Sequence, residues 1–311
     1  MYKYVLKRLL LMIPILLGVI LIVFTILSLT PGNPARQMLG MNASQESVDQ
    51  LNETLGYNDP FFERFFTYLI NLFKGDFGRS YKTNQPVFDA IFTRFPVTLK
   101  LALGTMVVTA LLGIPLGVLA AVRQYSKMDM ISTFSALLLA AVPSFWLALL
   151  LILLFSLKLG WLPPNGIGSF AHYVMPVMTQ AVVYAASTLR MTRTTMLESI
   201  RQDYVRTARG KGATEARVIW GHAIKNALLP VVTSMGISFG AMLGGTIVIE
   251  QVFSIPGLGT LVIGAIQTKD IPQVMAVTIF LAAMFCGIML LVDIIYAFID
   301  PRVKARYMMA R

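Results

Sequence analysis

The chain has 311 residues, of which 56% are hydrophobic and only 13% charged, with a mean hydropathy of +0.71. A soluble domain carries about 25% charged residues, so this composition excludes a soluble globular protein and reads as a membrane protein. The net charge of +11 is assigned to basic loops on one side of a bilayer rather than to nucleic-acid binding, and no nucleic-acid partner is expected.

A helix needs roughly 20 apolar residues to cross the hydrocarbon. In chain order the uncharged runs are 9–29; 101–122, between Lys100 and Arg123; 130–157, between Asp129 and Lys158; 173–189, ending at Arg190; 228–249, ending at Glu250; and 272–291, just before Asp293. They predict an all-α polytopic membrane protein of about six transmembrane helices. The first run is longer than the 7–15 residues of a signal-peptide core and no A-x-A-like site follows, so it reads as a retained span. Pro14, Pro115, Pro143 and Pro176 mark kinks. Cys286 lies in an apolar run and reads as a small hydrophobe.

Basic residues fall on one side. Lys3, Lys7 and Arg8 precede the first span, Arg123 and Lys127 join the second to the third, and Arg190, Arg193, Arg201, Arg206, Arg209, Lys211, Arg217 and Lys225 join the fourth to the fifth. Arg302, Lys304, Arg306 and Arg311 follow the sixth. The positive-inside bias puts both termini and the 190–227 loop in the cytoplasm. The extracytoplasmic segment 31–97 is mixed in charge and dense in Phe61, Phe62, Phe65, Phe66, Tyr68, Phe73 and Phe77, whose spacing fits an amphipathic helix at the membrane interface. An aromatic binding surface is the other reading. The segment is too small and too tied to the membrane to stand alone, so 1–311 is one domain.

Enzyme and nucleotide motifs are missing. There is no HExxH, no G-x-S-x-G and no Walker pattern, and Gly210, Lys211 and Gly212 follow no strand. His172 and His222 fall on opposite sides of the membrane. No metal site and no catalytic pair is predicted. Glu250 and Asp293 lie near span ends, where a paired or snorkelled carboxylate and a role in a translocation path are both open. Gly236, Gly240 and Gly244 recur at every fourth residue of the fifth span, and Gly113 and Gly117 do so on the second. Such faces let helices approach closely, or face a partner bundle or pore. The stretch 253–259, with the apolar residues up to Ile266, reads as a short return element on the outer side.

The segment 203–230 is the unusual part. No proline or glycine interrupts 193–209, so the fourth helix is expected to continue out of the membrane. Gly210 and Gly212 then permit a turn, Thr214 caps a second helix with Glu215 in its first turn, and Pro230 starts the fifth span. Val218, Ile219 and Ala223 share one face. A protruding turn of basic and small residues suits docking on a soluble protein, or a loop held to anionic lipid.

This segment resembles the cytoplasmic EAA loop of importer-type ABC permeases, and the chain is similar to the first of the two permeases of the dipeptide/oligopeptide/nickel subfamily. The resemblance rests on Asp203, Tyr204, Val205, Arg206, Thr207, Ala208 and Arg209, then Lys211 and Gly212, His222 and Ala223, Asn226 and Ala227, and Pro230. It extends to 4–8, 29–32, Gly75 to Gly78 with Ser80, 253–259 and 300–302. Where the broader pattern has Glu-Ala-Ala, this chain reads Arg206, Thr207, Ala208, so no acidic ATPase contact is assigned there. The resemblance implies a type I ABC importer permease fold in a prokaryotic cytoplasmic membrane. It implies a second homologous permease, two cytoplasmic ATPases that use ATP and Mg, and an extracytoplasmic binding protein. This chain itself would bind no cofactor. Tyr204, Arg206, Thr207, Ala208, Arg209, Lys211, Gly212, Ala213 and Thr214 become the expected coupling residues, and Gly236, Gly240, Gly244 and Glu250 the expected packing or pathway residues. Di- or oligopeptides are the expected cargo, with nickel or another small solute as the alternative and an ion-coupled carrier as the rival mechanism.

Overall fold

The computed structural model describes residues 2–30, 32–40 and 42–299. Pro31, the run at 300–302 and the basic residues Lys304, Arg306 and Arg311 lie outside them. Within the described residues everything regular is helical, apart from one antiparallel bridge between Arg79 and Pro86. Helix α1 (Tyr2–Leu29) leads to three short helices, α2 (Pro34–Leu39), α3 (Gln45–Thr54) and α4 (Phe61–Phe73). Then come α5 (Val87–Val122), α6 (Lys127–Ala141), α7 (Ser144–Leu151) with a π-helical extension (Ile152–Lys158), and α8 (Phe170–Ile200). The loop helices α9 (Asp203–Gly210) and α10 (Glu215–Arg217) follow, and a π-helical turn (Val218–Ala223) joins α10 to α11 (Ile224–Gly245). Last come α12 (Ile247–Val252), α13 (Leu258–Gln267) and α14 (Ile271–Ile299).

Four stretches are long and apolar enough to cross a membrane by themselves: Val5–Leu29, Val87–Val122, Glu215–Gly244 and Ile271–Ile295. The expected third span is not one rod. Proline cannot donate a backbone hydrogen bond and disfavours the helical region for its predecessor. Val142 is accordingly extended before Pro143, and α6 meets α7 and its extension at a bend of 100°. The broken pair still travels along α8, from Asp129 against Arg193 at one end to Ala148 packed with Met175 and Val177 at the other. Taken as one span it makes five. The expected 173–189 run lies in α8, whose 31 residues reach about 46 Å. That helix has the length to cross but is more polar than the rest, because it sits at the centre of the bundle, where neighbours rather than lipid cover it.

The bundle is built on close approach at glycine. Helices α5 and α8 run parallel, and a Cβ on Gly113 would stand 2.7 Å from Thr188 Cβ, one on Gly117 2.6 Å from Thr192 Cβ. Only glycine fits there. Thr105 and Thr109 on α5 donate to Gln180 Oε1 and Ala181 O on α8, so the seam is polar as well as tight. Helix α11 runs antiparallel to α14, and α1 lies on α14 through Ile20, Phe24, Met275 and Ile279. Arg8 closes that pair with Asp293 at 3.1 Å, which makes Asp293 a paired carboxylate. Arg8, Asp293, Arg193, Asp129 and the α9–α10 loop gather at one end, the basic face. Helices α2 to α4 and α13 gather at the other, the far face.

The interfacial helix expected from the aromatic spacing, α4, covers Phe61 to Phe73 but not Phe77. Phe65 turns inward against Phe24 with ring centroids 5.4 Å apart, whereas Phe62, Phe66 and Phe73 stay exposed, as an interfacial helix requires.

Candidate functional site

The fourth helix continues past the apolar run into the loop, but not as far as residue 209. It ends at Ile200, Arg201 is its last helical cap, and Gln202 is extended before α9 begins. This break turns α9 across the basic face. One residue fastens it: Val205 is fully buried with Val118, Ala121, Met196, Val218, Ile219 and Ala223. Tyr204 is tied down beside it. Ser199 Oγ donates to Ala223 O at 2.8 Å and faces the Tyr204 hydroxyl at 2.6 Å, so the tyrosine is the donor to Ser199.

The turn that follows is a Schellman motif. Ala213 N–H donates to Ala208 O at 3.2 Å and Gly212 N–H to Arg209 O at 2.9 Å. The motif requires a left-handed residue at the penultimate position, and Gly212 has φ +80°. Thr214 Oγ1 then accepts from Arg217 N–H and caps α10. A two-pronged ion pair spans the turn, Arg209 Nε to Glu215 Oε1 at 2.7 Å and Nη2 to Oε2 at 3.1 Å. Arg206 pairs with Asp203, at 3.7 Å in the open. Among the described residues Lys211 makes no ion pair. The result is a rigid knuckle. Ala208 and Ala213 are half-buried, and Arg206, Thr207, Arg209, Lys211, Gly212 and Thr214 point outward. Helix α10 passes without a break into α11, so Pro230 lies inside the helix rather than at its start.

The other predicted residues separate. A Cβ on Gly236 would meet Val292 at 2.1 Å and one on Gly240 would meet Phe285 at 2.6 Å, so both lie against α14 of the same chain. Gly244 has nothing within 4 Å. Glu250 lies in the interior of this chain. It is fully buried, and its carboxylate accepts from Thr98 Oγ1 at 2.7 Å, Thr246 Oγ1 at 3.0 Å and Thr260 N–H at 2.9 Å. Thr98 Oγ1 also accepts from Leu258 N–H at 2.8 Å. The carboxylate therefore satisfies the open amides that begin α13, where a negative charge is favoured. Gly257 and Gly259 leave the room: a Cβ on either would stand 2.3 Å and 2.9 Å from Glu250 atoms. The return element is thus a turn followed by a buried helix, pinned from below by Glu250.

The comparisons are consistent with this architecture. Residues 113–305 match the family described as binding-protein-dependent transport system inner membrane component, and residues 1–102 match its N-terminal companion. The oligopeptide permease AppB of Bacillus subtilis is 38% identical over 98% of this chain and 100% of its own length. The chain belongs to that permease family. The glutathione permease GsiC of Escherichia coli is 40% identical over 98% of this chain and 99% of its own. The dipeptide permease DppB of Alkalihalophilus pseudofirmus is 36% identical over 98% and 100%. Among solved structures, the MetNI methionine ABC transporter in an inward-facing conformation aligns with a TM-score of 0.58 at 20% identity, over 70% of this chain and 99% of that one. That likeness shows the ABC importer permease fold. The protein is a multi-pass component of an inner-membrane transport system, not an enzyme, and membership implies ATPase and substrate-binding partners in general.

Two anchors of this permease escaped sequence reasoning. Asp129 bounded a span and nothing more, yet it is buried and forked to Arg193, Nε to Oδ1 at 2.5 Å and Nη2 to Oδ2 at 2.8 Å. Asp270 received no role, yet it is 1% exposed at the start of α14. It takes Ser80 Oγ as a donor, accepts from Tyr81 N–H at 3.1 Å, and so ties the far-face hairpin to the last helix. Burial first, and then the Asp270 charge, push the Tyr81 hydroxyl up to about 12. Their signal was an acid at a helix start, Asp129 in the first turn of α6 after the Ser126 cap and Asp270 one residue before α14, which a cap reading of 126–129 and 268–271 detects.

Proposed function

We propose that this permease is one half of the membrane pathway of an ATP-driven importer of di- or oligopeptides. It would pair with a second permease of its own kind, receive cargo from an extracytoplasmic binding protein, and be driven by two cytoplasmic ATPases that hold the ATP and Mg. The basic face is then cytoplasmic, as the Lys and Arg bias requires. The observation that carries the cargo assignment is that full-length relatives in three different organisms bear peptide names, oligopeptide, glutathione and dipeptide.

The knuckle supports the coupling half of the reading. Its back is bolted to the ends of α5, α8 and α11 by Val205, Val218 and Ile219. Its front offers Arg206, Thr207, Lys211, Gly212 and Thr214 to a soluble partner. A force on Gly212 therefore passes into three long helices rather than into a soft loop. That is the requirement for differential binding of two partner states to move a bundle. The test is reconstitution of this chain with its second permease, ATPases and binding protein in proteoliposomes. ATP-dependent accumulation of a labelled dipeptide is expected, and uptake by this chain without any ATPase would overturn the reading.

A further inference from the structure

On the far face, between the Ser80 hairpin, the start of α5 and helix α13, lies a cavity of about 200 Å³. Its walls include Lys82, Arg94, Thr260, Gly264, Thr268 and Gln273. It belongs to neither the knuckle nor the Glu250 anchor, although Thr260 joins it to the latter.

The hydrogen bonding of the walls decides what it accepts. Thr260 Oγ1 already donates to Ile255 O and Gly257 O, at 3.1 and 2.9 Å, and Thr268 Oγ1 to Gly264 O at 2.8 Å. Asp270, also in the wall, is occupied by Ser80 and the Tyr81 amide. The charged donors left over are Lys82 and Arg94. Among the described residues neither makes an ion pair or a side-chain hydrogen bond. Arg94 is half-buried, so water screens it less than a surface arginine. A partly desolvated guanidinium without a carboxylate is unusual, because a buried charge is stable mainly when paired. Arginine is also the side chain that matches a carboxylate fork. The volume lies below the roughly 300–1,000 Å³ of a pocket that encloses a whole drug-sized ligand. It suits one charged end of a longer molecule.

We propose that Arg94 and Lys82 receive the C-terminal carboxylate of the cargo peptide as it enters the permease from the far face. The proposal rests on the peptide-importer reading above. It adds that this chain, and not only an external binding protein, selects for a free carboxyl end. Helix α13 forms the opposite wall, and the Glu250 network holds it in register so that the two cations face a fixed surface.

The test compares a labelled tripeptide with its C-terminal amide in proteoliposomes holding the whole importer, with rates normalised to assembled complex by co-purification of the ATPases. Wild type is expected to import the free acid about tenfold faster than the amide, the size of one charge-assisted hydrogen bond. Arg94→Gln is expected to bring the acid-to-amide ratio close to one by slowing the acid alone. Lys82→Gln is expected to lower it part of the way, and Arg94→Lys to restore part of it. A ratio unchanged in Arg94→Gln overturns the assignment, and so does a wild-type ratio of one. Equal losses for both peptides also overturn it, and would point to a lipid phosphate or an acidic surface of the binding protein. If wild type imports neither peptide, the peptide-importer reading itself fails and the carboxylate site with it.

Discussion

Thr98 shows how much a single hydroxyl carries here. It donates to Glu250 and accepts from the Leu258 amide, with no exposure to water. Thr98→Val keeps the shape and strands both partners. An unsatisfied buried group costs about 1–3 kcal/mol, so the variant should unfold at a clearly lower temperature in detergent than wild type, with Thr98→Ser close to normal. A Thr98→Val protein as stable as wild type would show that water replaces the hydroxyl. At the basic face Gly212 plays the backbone counterpart. A β-branched residue at φ +80° meets a steric penalty of roughly 1–2 kcal/mol, and the Schellman turn should reopen. Gly212→Val is expected to lose co-purification of the ATPases while its helix content, read by circular dichroism, stays unchanged. Both residues are visible in the sequence as types, a threonine and a glycine. The glycine was legible because turn chemistry is local. The threonine was not, because its two partners lie 152 and 160 residues further along the chain.

Among the elements, the α11–α14 contact is the most sensitive. Gly236 and Gly240 admit Val292 and Phe285 to distances no side chain would allow. Gly240→Leu should push the helices apart at an overpacking cost of about 1–3 kcal/mol or more, lowering the thermal midpoint in detergent. Gly244→Ala, with nothing within 4 Å, should leave it unmoved, and equal effects at the two sites would show that the shared four-residue spacing, not the contact, sets stability. The α6–α8 contact is held differently. Removing one partner of a buried ion pair costs about 3–5 kcal/mol, and Asp129 is 5% exposed beside Arg193. Asp129→Ala should therefore be among the most destabilising single changes in the chain, measured by the same melt. The four-residue glycine repeats announced close packing, but periodicity does not name the neighbour. Gly113 and Gly117 found α8, Gly236 and Gly240 found α14, and Gly244 found nothing.

For the whole molecule, the two ends do different work joined by rigid helices. The knuckle at the basic face is bolted to α5, α8 and α11, and α5 begins at the far face beside Lys82 and Arg94. A pull at Gly212 can reach the cavity through one continuous helix, Val87–Val122. Gly212 variants that still fold are therefore expected to stop ATP-driven peptide uptake altogether, whereas Arg94→Gln changes only which peptide end is preferred. Composition, hydropathy and local turn chemistry by themselves determined the class of the protein, its helical build and the residues of the loop's turn. Each of these depends on transfer into lipid or on bonds between near neighbours. The tertiary structure alone decided the 100° break at Pro143, the interior place of α8, the burial of Glu250 and the joining of Asp270 to Ser80. These depend on which surfaces meet, and the Glu250 carboxylate becomes an anchor only when Thr98 and the start of α13 arrive around it.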